Sequence, residues 1–319
     1  MSEFEIIQRY FSRPTKTAVL GVGDDCALVR PSPRMEIALS TDTLVAGVHF
    51  FSDTDPFKLG YKTLAVNLSD IAAMGAKPRW ILLALTLPRV DEHWLEQFSS
   101  GLFKLAQRYN VELIGGDTTR GPLNIGMMVI GEVPRGQALR RQGAKLGDEI
   151  WISGYLGQAA LGLAHLRREI QLPEAALVDC LAALQQPSPR IELGLKLRKL
   201  ATSAIDISDG LLADLGHILE RSRLSAMVEY DKIPRSHALQ NCSDKQLVDR
   251  CLLSGGDDYE LCFTVPSSRH REVEKIAKTL KLTLSCIGMV EKGKQTAIRL
   301  LDKQGNILSH SRKGFDHFE

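Results

Sequence analysis

Apolar runs that end on a glycine, serine or threonine beside an aspartate recur along this chain, and that recurrence limits what it can fold into. Asp24 and Asp25 follow Ala18-Val19-Leu20 across the turn Gly21-Val22-Gly23, and Asp42 closes the run Glu36-Ile37-Ala38-Leu39-Ser40-Thr41. Asp117 comes after Val111 to Ile114 and Gly115-Gly116, while Asp206 and Asp209 close the run that begins at Ser203. In open α/β sheets, ligands collect outside strand ends, where loops converge. Each aspartate alone has an ordinary explanation, because Asp is a favoured turn residue. Together they are harder to explain that way. Adjacent carboxylates repel, and a fold that gathers them calls for a cation. Hard cations take oxygen ligands and commonly bring phosphates with them. The pattern points to a site of oxygen ligands for metal ions.

Strands and helices alternate between these ends. Residues 3 to 11 carry Phe4, Ile7 and Phe11 near helical spacing. Asp55-Pro56 starts a helix, with Asp as cap and Pro at the first helical position. Leu64, Leu68 and Ile71 line it until Gly75 and Pro78. It carries Asp70 near its end. Trp80 to Leu87 reads as a strand, Asp91 to Tyr109 as a helix, Val111 to Ile114 and Ile125 to Val133 as strands. Pro134 to Asp148 turns basic, with Arg135, Arg140, Arg141 and Lys145. A chain of 319 residues is long for one core. The boundary is therefore expected in this segment, giving domains 1–137 and 138–319. The second half reads as a strand at 149–153, a helix at 158–168, a helical pair at 174–185 and 189–200, and a strand at 203–208. A helix at 211–221, a strand to Thr264, a helix at 268–280 and a strand at 282–289 follow. The expected class is α/β (α+β): a mixed-sheet N-terminal domain and an α/β C-terminal domain.

Bulk properties narrow the partners. The formal net charge is +2, so no broad basic field recruits nucleic acid. Six scattered cysteines form no C-x-x-C pair, which argues for reduced thiols and against a zinc site. No apolar run approaches the roughly 20 residues that span a bilayer, and the N-terminus lacks a signal pattern. A cytoplasmic protein without a membrane partner is expected. The Walker loop, the third glycine of a dinucleotide fingerprint, the H-R-D kinase signature, H-E-x-x-H and G-x-S-x-G are all absent.

Six segments in order carry a resemblance over essentially the whole chain. They are Gly21-Val22-Gly23-Asp24-Asp25-Cys26-Ala27, Ser40-Thr41-Asp42-Thr43-Leu44-Val45 with Gly47 and His49, and Asn67-Leu68-Ser69-Asp70-Ile71-Ala72-Ala73-Met74-Gly75. Gly115-Gly116-Asp117-Thr118-Thr119, Asp206-Ile207-Ser208-Asp209-Gly210-Leu211 and Ser254-Gly255-Gly256-Asp257-Asp258-Tyr259-Glu260-Leu261 complete the set. The chain resembles the thiamine-monophosphate kinases, whose wider fold is shared with aminoimidazole ribonucleotide synthetase and selenophosphate synthetase. The resemblance implies transfer of the γ-phosphoryl group of ATP to thiamine monophosphate, with several Mg²⁺ ions and K⁺ as a further ion to test. It implies Asp25, Ser40, Thr41, Asp42, Asp70, Asp117, Asp206 and Asp209 as metal ligands. Gly116, Asp117, Arg141 and Ser208 would meet ATP, and His49, Asp257 and Phe315 would meet thiamine monophosphate. A homodimer through the N-terminal domain is also implied. Two positions depart from the family pattern: Asp257 stands where Glu is common, and Phe315 where Tyr or Trp also occur.

The chemistry suits these residues. A phosphate acceptor is already anionic near neutral pH, so no catalytic base is required. What is required is relief of repulsion: two unit charges 4 Å apart cost roughly 4 kcal/mol at an effective dielectric of 20. Metal ions between donor and acceptor reverse that sign. A sister synthetase of the same fold is the competing enzyme reading, and Cys26, inside the aspartate motif, is poorly placed for selenophosphate chemistry. A nonenzymatic metal- or nucleotide-binding regulator is the reading from another class.

Overall fold

The computed structural model describes residues 1–293, 296–310 and 314. They form two compact units, one of Met1–Ile71 with Ala76–Gly136, the other of Ala72–Gly75 with the chain from Gln137 onward.

The first unit opens with α1 (Glu3–Ile6), capped by Ser2 and continued as a π-helical turn over Ile7–Phe11. Next come β1 (Met35–Val45), α2 (Pro56–Ala73), β2 (Lys77–Leu87), α3 (Glu92–Tyr109), β3 (Glu112–Arg120) and β4 (Asn124–Pro134). The sheet order is β1-β4-β2-β3, with β2 and β3 parallel and the other pairs antiparallel. Helix α3 forms because Leu95, Phe98, Leu102 and Leu105 fall on one face, and all four are buried. Asp91 caps its first turn by accepting from Trp94 N, and Asn110 ends it in the left-handed conformation.

Two strands run further than the sequence reading placed them, and both shift a candidate residue. Strand β1 continues through Thr43 and Val45, β-branched residues that keep pairing with β4 to Asn124. Asp42 is therefore inside the strand. Strand β3 passes through Gly115 and Gly116 to Arg120, still paired with Leu82 to Leu87. Gly116 permits this, having φ +149° and a position where a Cβ would sit 1.9 Å from the Leu83 carbonyl oxygen. Asp117 therefore lies in a ladder.

The second unit contains β5 (Asp148–Ser153), α4 (Gln158–Leu166), α5 (Glu174–Gln185), α6 (Ile191–Leu197), β6 (Ser203–Ile207) and α7 (Leu211–Ser222). These are followed by β7 (Ser225–Glu229), α8 (His237–Gln240), α9 (Lys245–Ser254), β8 (Glu260–Pro266), α10 (His270–Leu280), β9 (Leu284–Glu291), β10 (Ile298–Leu301) and β11 (Ile307–Leu308). Its sheet runs β11-β10-β7-β9-β5-β8-β6, parallel only between β10 and β7. Ile150, Ile152, Ile205, Ile207, Leu211 and Leu215 sit in one continuous core. Elements β7, α8, β10 and β11 carry no strong periodic signal, whereas α9 does, burying Leu247, Val248, Cys251 and Leu252 along one side. Strands β7 and β10 are only 5 and 4 residues long, too short for alternation to show. Among the described residues, no helix is long and apolar enough to cross a membrane.

Candidate active site

In the first unit, Ser40 and Asp42 share one face of β1, and α2 brings Asp70 to it. The Ser40 hydroxyl donates to Asp70 Oδ2 at 2.5 Å. Burial pushes the Asp42 carboxyl up to about 7, and the neighbouring charge of Asp70 adds to that. One turn before Asp70 on the same helix, the Asn67 side-chain oxygen is buried without a hydrogen-bond partner, as is the Ser69 hydroxyl. Like charges held close, all donors oxygen and buried oxygens unsatisfied: this set fits a hard divalent cation.

Asp117 is not part of that group. It pairs with Ala84, which pairs with Gly126, whereas Asp42 pairs with Met127 and through it with Leu83. Neighbouring registers point to opposite faces of a sheet. Thr41 shares the Asp117 face and donates its hydroxyl to the Met127 carbonyl at 3.0 Å. The segment carrying Asp25 packs Ala18, Ala27 and Val29 against Trp80, Ile114 and Ile130, and Glu112 anchors its start by accepting from Lys16, Thr17 and Ala18 N. Asp24 shapes the turn, its Oδ1 accepting from Asp25 N at 2.9 Å. His49, in the turn after β1, accepts from Val45 N at Nδ1, 3.0 Å away. In the neutral ring the proton is then on Nε2.

The second unit joins two of the aspartate-bearing segments by backbone contact. Asp206 is buried near the end of β6, opposite Leu261 of β8. Beyond it, the Ser208 carbonyl accepts from Asp257 N at 2.9 Å and the Ile207 carbonyl from Tyr259 N at 2.8 Å. Contact this close needs Gly256, since a Cβ there would sit 2.3 Å from Ser208 O. Asp257 and Tyr259 both adopt positive φ, +68° and +50°, and the Tyr259 hydroxyl donates to Asp257 Oδ1 at 3.0 Å. Backbone strain of this kind is held only where surrounding contacts fix it. Asp206, Ser208, Asp209 and Asp257 are thereby assembled at one end of the second sheet. Gly314 also belongs here, close enough that a Cβ would meet Asp209 O at 2.7 Å.

Three acids in this unit have structural roles that sequence reasoning did not assign. Asp258 accepts from Gly157 N at 2.9 and 3.0 Å ahead of α4, and burial pushes its carboxyl well up. Glu260 is held by Arg190, whose Nε reaches Oε2 at 2.6 Å and whose Nη2 pairs with Oε1. Asp214, 2% exposed, accepts from the N–H groups of Ser208, Asp209 and Gly210, each at 3.1 Å. The sequence signal for Asp214 was only its spacing after Asp209.

Arg141 stands elsewhere in the unit. Ala204 N donates to the Arg140 carbonyl at 2.9 Å, and Gly143 N to Ser222 Oγ at 3.2 Å. These contacts put Arg141 by the start of β6, and Ser208 is four residues, about 13 Å, further along. Phe315 lies outside the described residues. No three of His, Cys, Asp and Glu among the described residues are gathered closely enough to hold an ion. The proposed ligands divide between the two units and, in the first, between two faces of a sheet.

Comparison with known proteins gives this geometry its context. Residues 23–133 match the family model "AIR synthase related protein, N-terminal domain", and residues 145–300 the corresponding C-terminal domain. The chain is 48% identical over 320 residues to a thiamine-monophosphate kinase of Escherichia coli K12, covering 99% of this chain and 98% of that one. A crystal structure of thiamine-monophosphate kinase from Stenotrophomonas maltophilia is 44% identical, covers 96% of both chains and superposes with a TM-score of 0.85. The structure of AaThiL complexed with AMPPCP and TMP is 31% identical, with a TM-score of 0.79 over 91% of this chain and 89% of that one.

Proposed function

The chain belongs to the thiamine-monophosphate kinase family of AIR synthase related proteins, and from that premise we propose how its residues carry out the reaction. It is an ATP-dependent kinase that phosphorylates thiamine monophosphate to thiamine diphosphate. The observation that carries this is likeness to kinases of that activity along nearly the whole chain. A relative holding AMPPCP and TMP together supports direct transfer between two bound ligands.

Asp42 and Asp70, with Ser40 beside them, hold Mg²⁺ in the first unit, and Asp206 with Asp209 hold it in the second. Asp25, Thr41 and Asp117 add oxygens from the other face of the first sheet. Bound Mg²⁺ supplies charge neutralisation and in-line alignment of the phosphates. The protein's own part is positioning, because an anionic phosphate acceptor needs no base. Gly116 and Asp117 meet ATP from β3. Ser208 offers ATP its hydroxyl, and Arg141 approaches it from the other end of β6. His49, through Nε2–H, and Asp257 meet thiamine monophosphate. Phe315, next to Gly314, would offer an aromatic face to a cationic ring, worth about 0.5 to 2 kcal/mol. K⁺ is a further ion to test at the same phosphates.

The chain acts as a cytoplasmic homodimer. Support for pairing comes from β1, an edge strand whose outer face leaves Leu39 63% exposed, with Ile37 and Met128 beside it. Exposed apolar edges of this sort are usually covered. ADP release measured with ATP, Mg²⁺ and thiamine monophosphate, against thiamine as control, tests the function. Release that is indifferent to thiamine monophosphate would overturn it.

A further inference from the structure

We propose that Asp214 is the positioning residue that fixes the Ser208-Asp209-Gly210 turn, so that this turn has no main-chain N–H left to offer a phosphate. The inference rests on the reading that Ser208 and Asp209 face ATP and metal. The partners of the turn's three N–H groups carry it. The N–H groups of Ser208, Asp209 and Gly210 all converge on one oxygen, Asp214 Oδ2, each at 3.1 Å. The Gly210 carbonyl accepts from Asp214 N at 3.0 Å, and the Ser208 carbonyl from Asp257 N at 2.9 Å. The Asp209 carbonyl lies against Gly314.

Three successive N–H groups ahead of a helix are the ordinary way to cradle a phosphate. Here an internal carboxylate, 2% exposed and one turn into α7, fills that cradle. Phosphate is therefore turned away from the main chain. What remains to meet it is the Ser208 hydroxyl and the Asp209 carboxylate, the latter repelling phosphate unless a cation stands between. Asp214 thus commits the turn to recognition through a metal ion. It acts through Asp209 and touches no ligand itself. Orienting partners of this kind typically change metal affinity by about 10- to 100-fold.

Two measurements on the full chain decide it. Amide exchange followed by NMR should show the Ser208, Asp209 and Gly210 N–H groups strongly protected, although none belongs to a helix or a ladder. Unprotected exchange at these three overturns the proposal whatever the variants do. Asp214→Ala should raise the half-saturating Mg²⁺ concentration about tenfold or more, both in ADP release and in the Mg²⁺-induced rise of Tm. Its kcat at saturating Mg²⁺ should stay near wild type. Asp214→Asn keeps a carbonyl acceptor and should recover most of the loss. A folded Asp214→Ala protein with wild-type Mg²⁺ dependence overturns the proposal; if that variant does not fold, the amides decide alone. Asp209→Asn separates the underlying reading, for if it leaves the Mg²⁺ dependence unchanged, the metal assignment of Asp209 falls instead.

Discussion

Asp42 on β1 and Asp70 on α2 bring two carboxylates to one side of the first sheet, with the Ser40 hydroxyl donating to Asp70 Oδ2 at 2.5 Å. Burial first, and the charge of Asp70 second, hold the Asp42 carboxyl at about 7 rather than 3.8. The pair is costly to ionise without a cation and favourable with one.

A pH dependence of stability follows from that shift. An acid with a raised pKa in the folded state binds its proton more tightly there than in the unfolded chain. Its stabilising contribution is complete below about 3.8 and is lost as pH rises through about 7. Asp214, also raised to about 7 by burial and then by Asp209, has the same sign. Without Mg²⁺, Tm should fall between pH 5 and pH 8. Added Mg²⁺ should raise Tm more at pH 8 than at pH 5.5, because it competes with protons for the Asp42 carboxylate. Thermal melts across that range, with and without Mg²⁺, check both; a larger Mg²⁺ effect at pH 5.5 contradicts the assignment.

Asp42→Asn and Asp117→Asn should each reduce kcat by about a hundredfold or more, the scale of losing a charge-stabilising group. Circular dichroism should remain that of the wild type. Asp42→Asn should also raise Tm in the absence of Mg²⁺, since it removes one of two repelling charges. Activity and stability would then move in opposite directions. Near-normal turnover in either variant would remove that residue from the metal set.

Arg190→Met should be strongly destabilising, by about 3 kcal/mol, because it strands the buried Glu260 carboxylate. Ser153, which donates to Glu260 Oε2 at 2.5 Å, cannot neutralise it. Denaturant melts would show a lower midpoint at unchanged slope. A midpoint equal to wild type would mean that the pair contributes little.

Leu39→Asp should convert a dimer to a monomer in light scattering, with the melting of the monomer itself little changed, since Leu39 is 63% exposed. A dimer that survives the substitution places the interface elsewhere.

The sequence carried the two-part order of elements well, because long periodic helices such as α2 and α3 and dense runs such as Trp80 to Leu87 signal themselves. It carried strand ends poorly. The extension of β3 depended on Gly116 tolerating the Leu83 carbonyl, a contact visible only once β2 lies alongside. That extension moved Asp117 from a loop into a ladder and to the face opposite Asp42. The motif from Ser254 to Leu261 was legible as a unit, but the division of labour among its acids was not. Asp258 facing Gly157, and Glu260 facing Arg190, are pairings across 101 and 70 positions of sequence. Asp214 was hidden for another reason: an acid in the first turn of a helix is common, and only its three converging N–H partners set it apart.

The most direct test of the account follows the label of [γ-³²P]ATP incubated with Mg²⁺, thiamine monophosphate and the protein. Direct transfer between bound ligands predicts label in thiamine diphosphate in step with ADP formation, and none in product when thiamine replaces thiamine monophosphate. Label recovered as inorganic phosphate, with thiamine monophosphate unchanged, would contradict it.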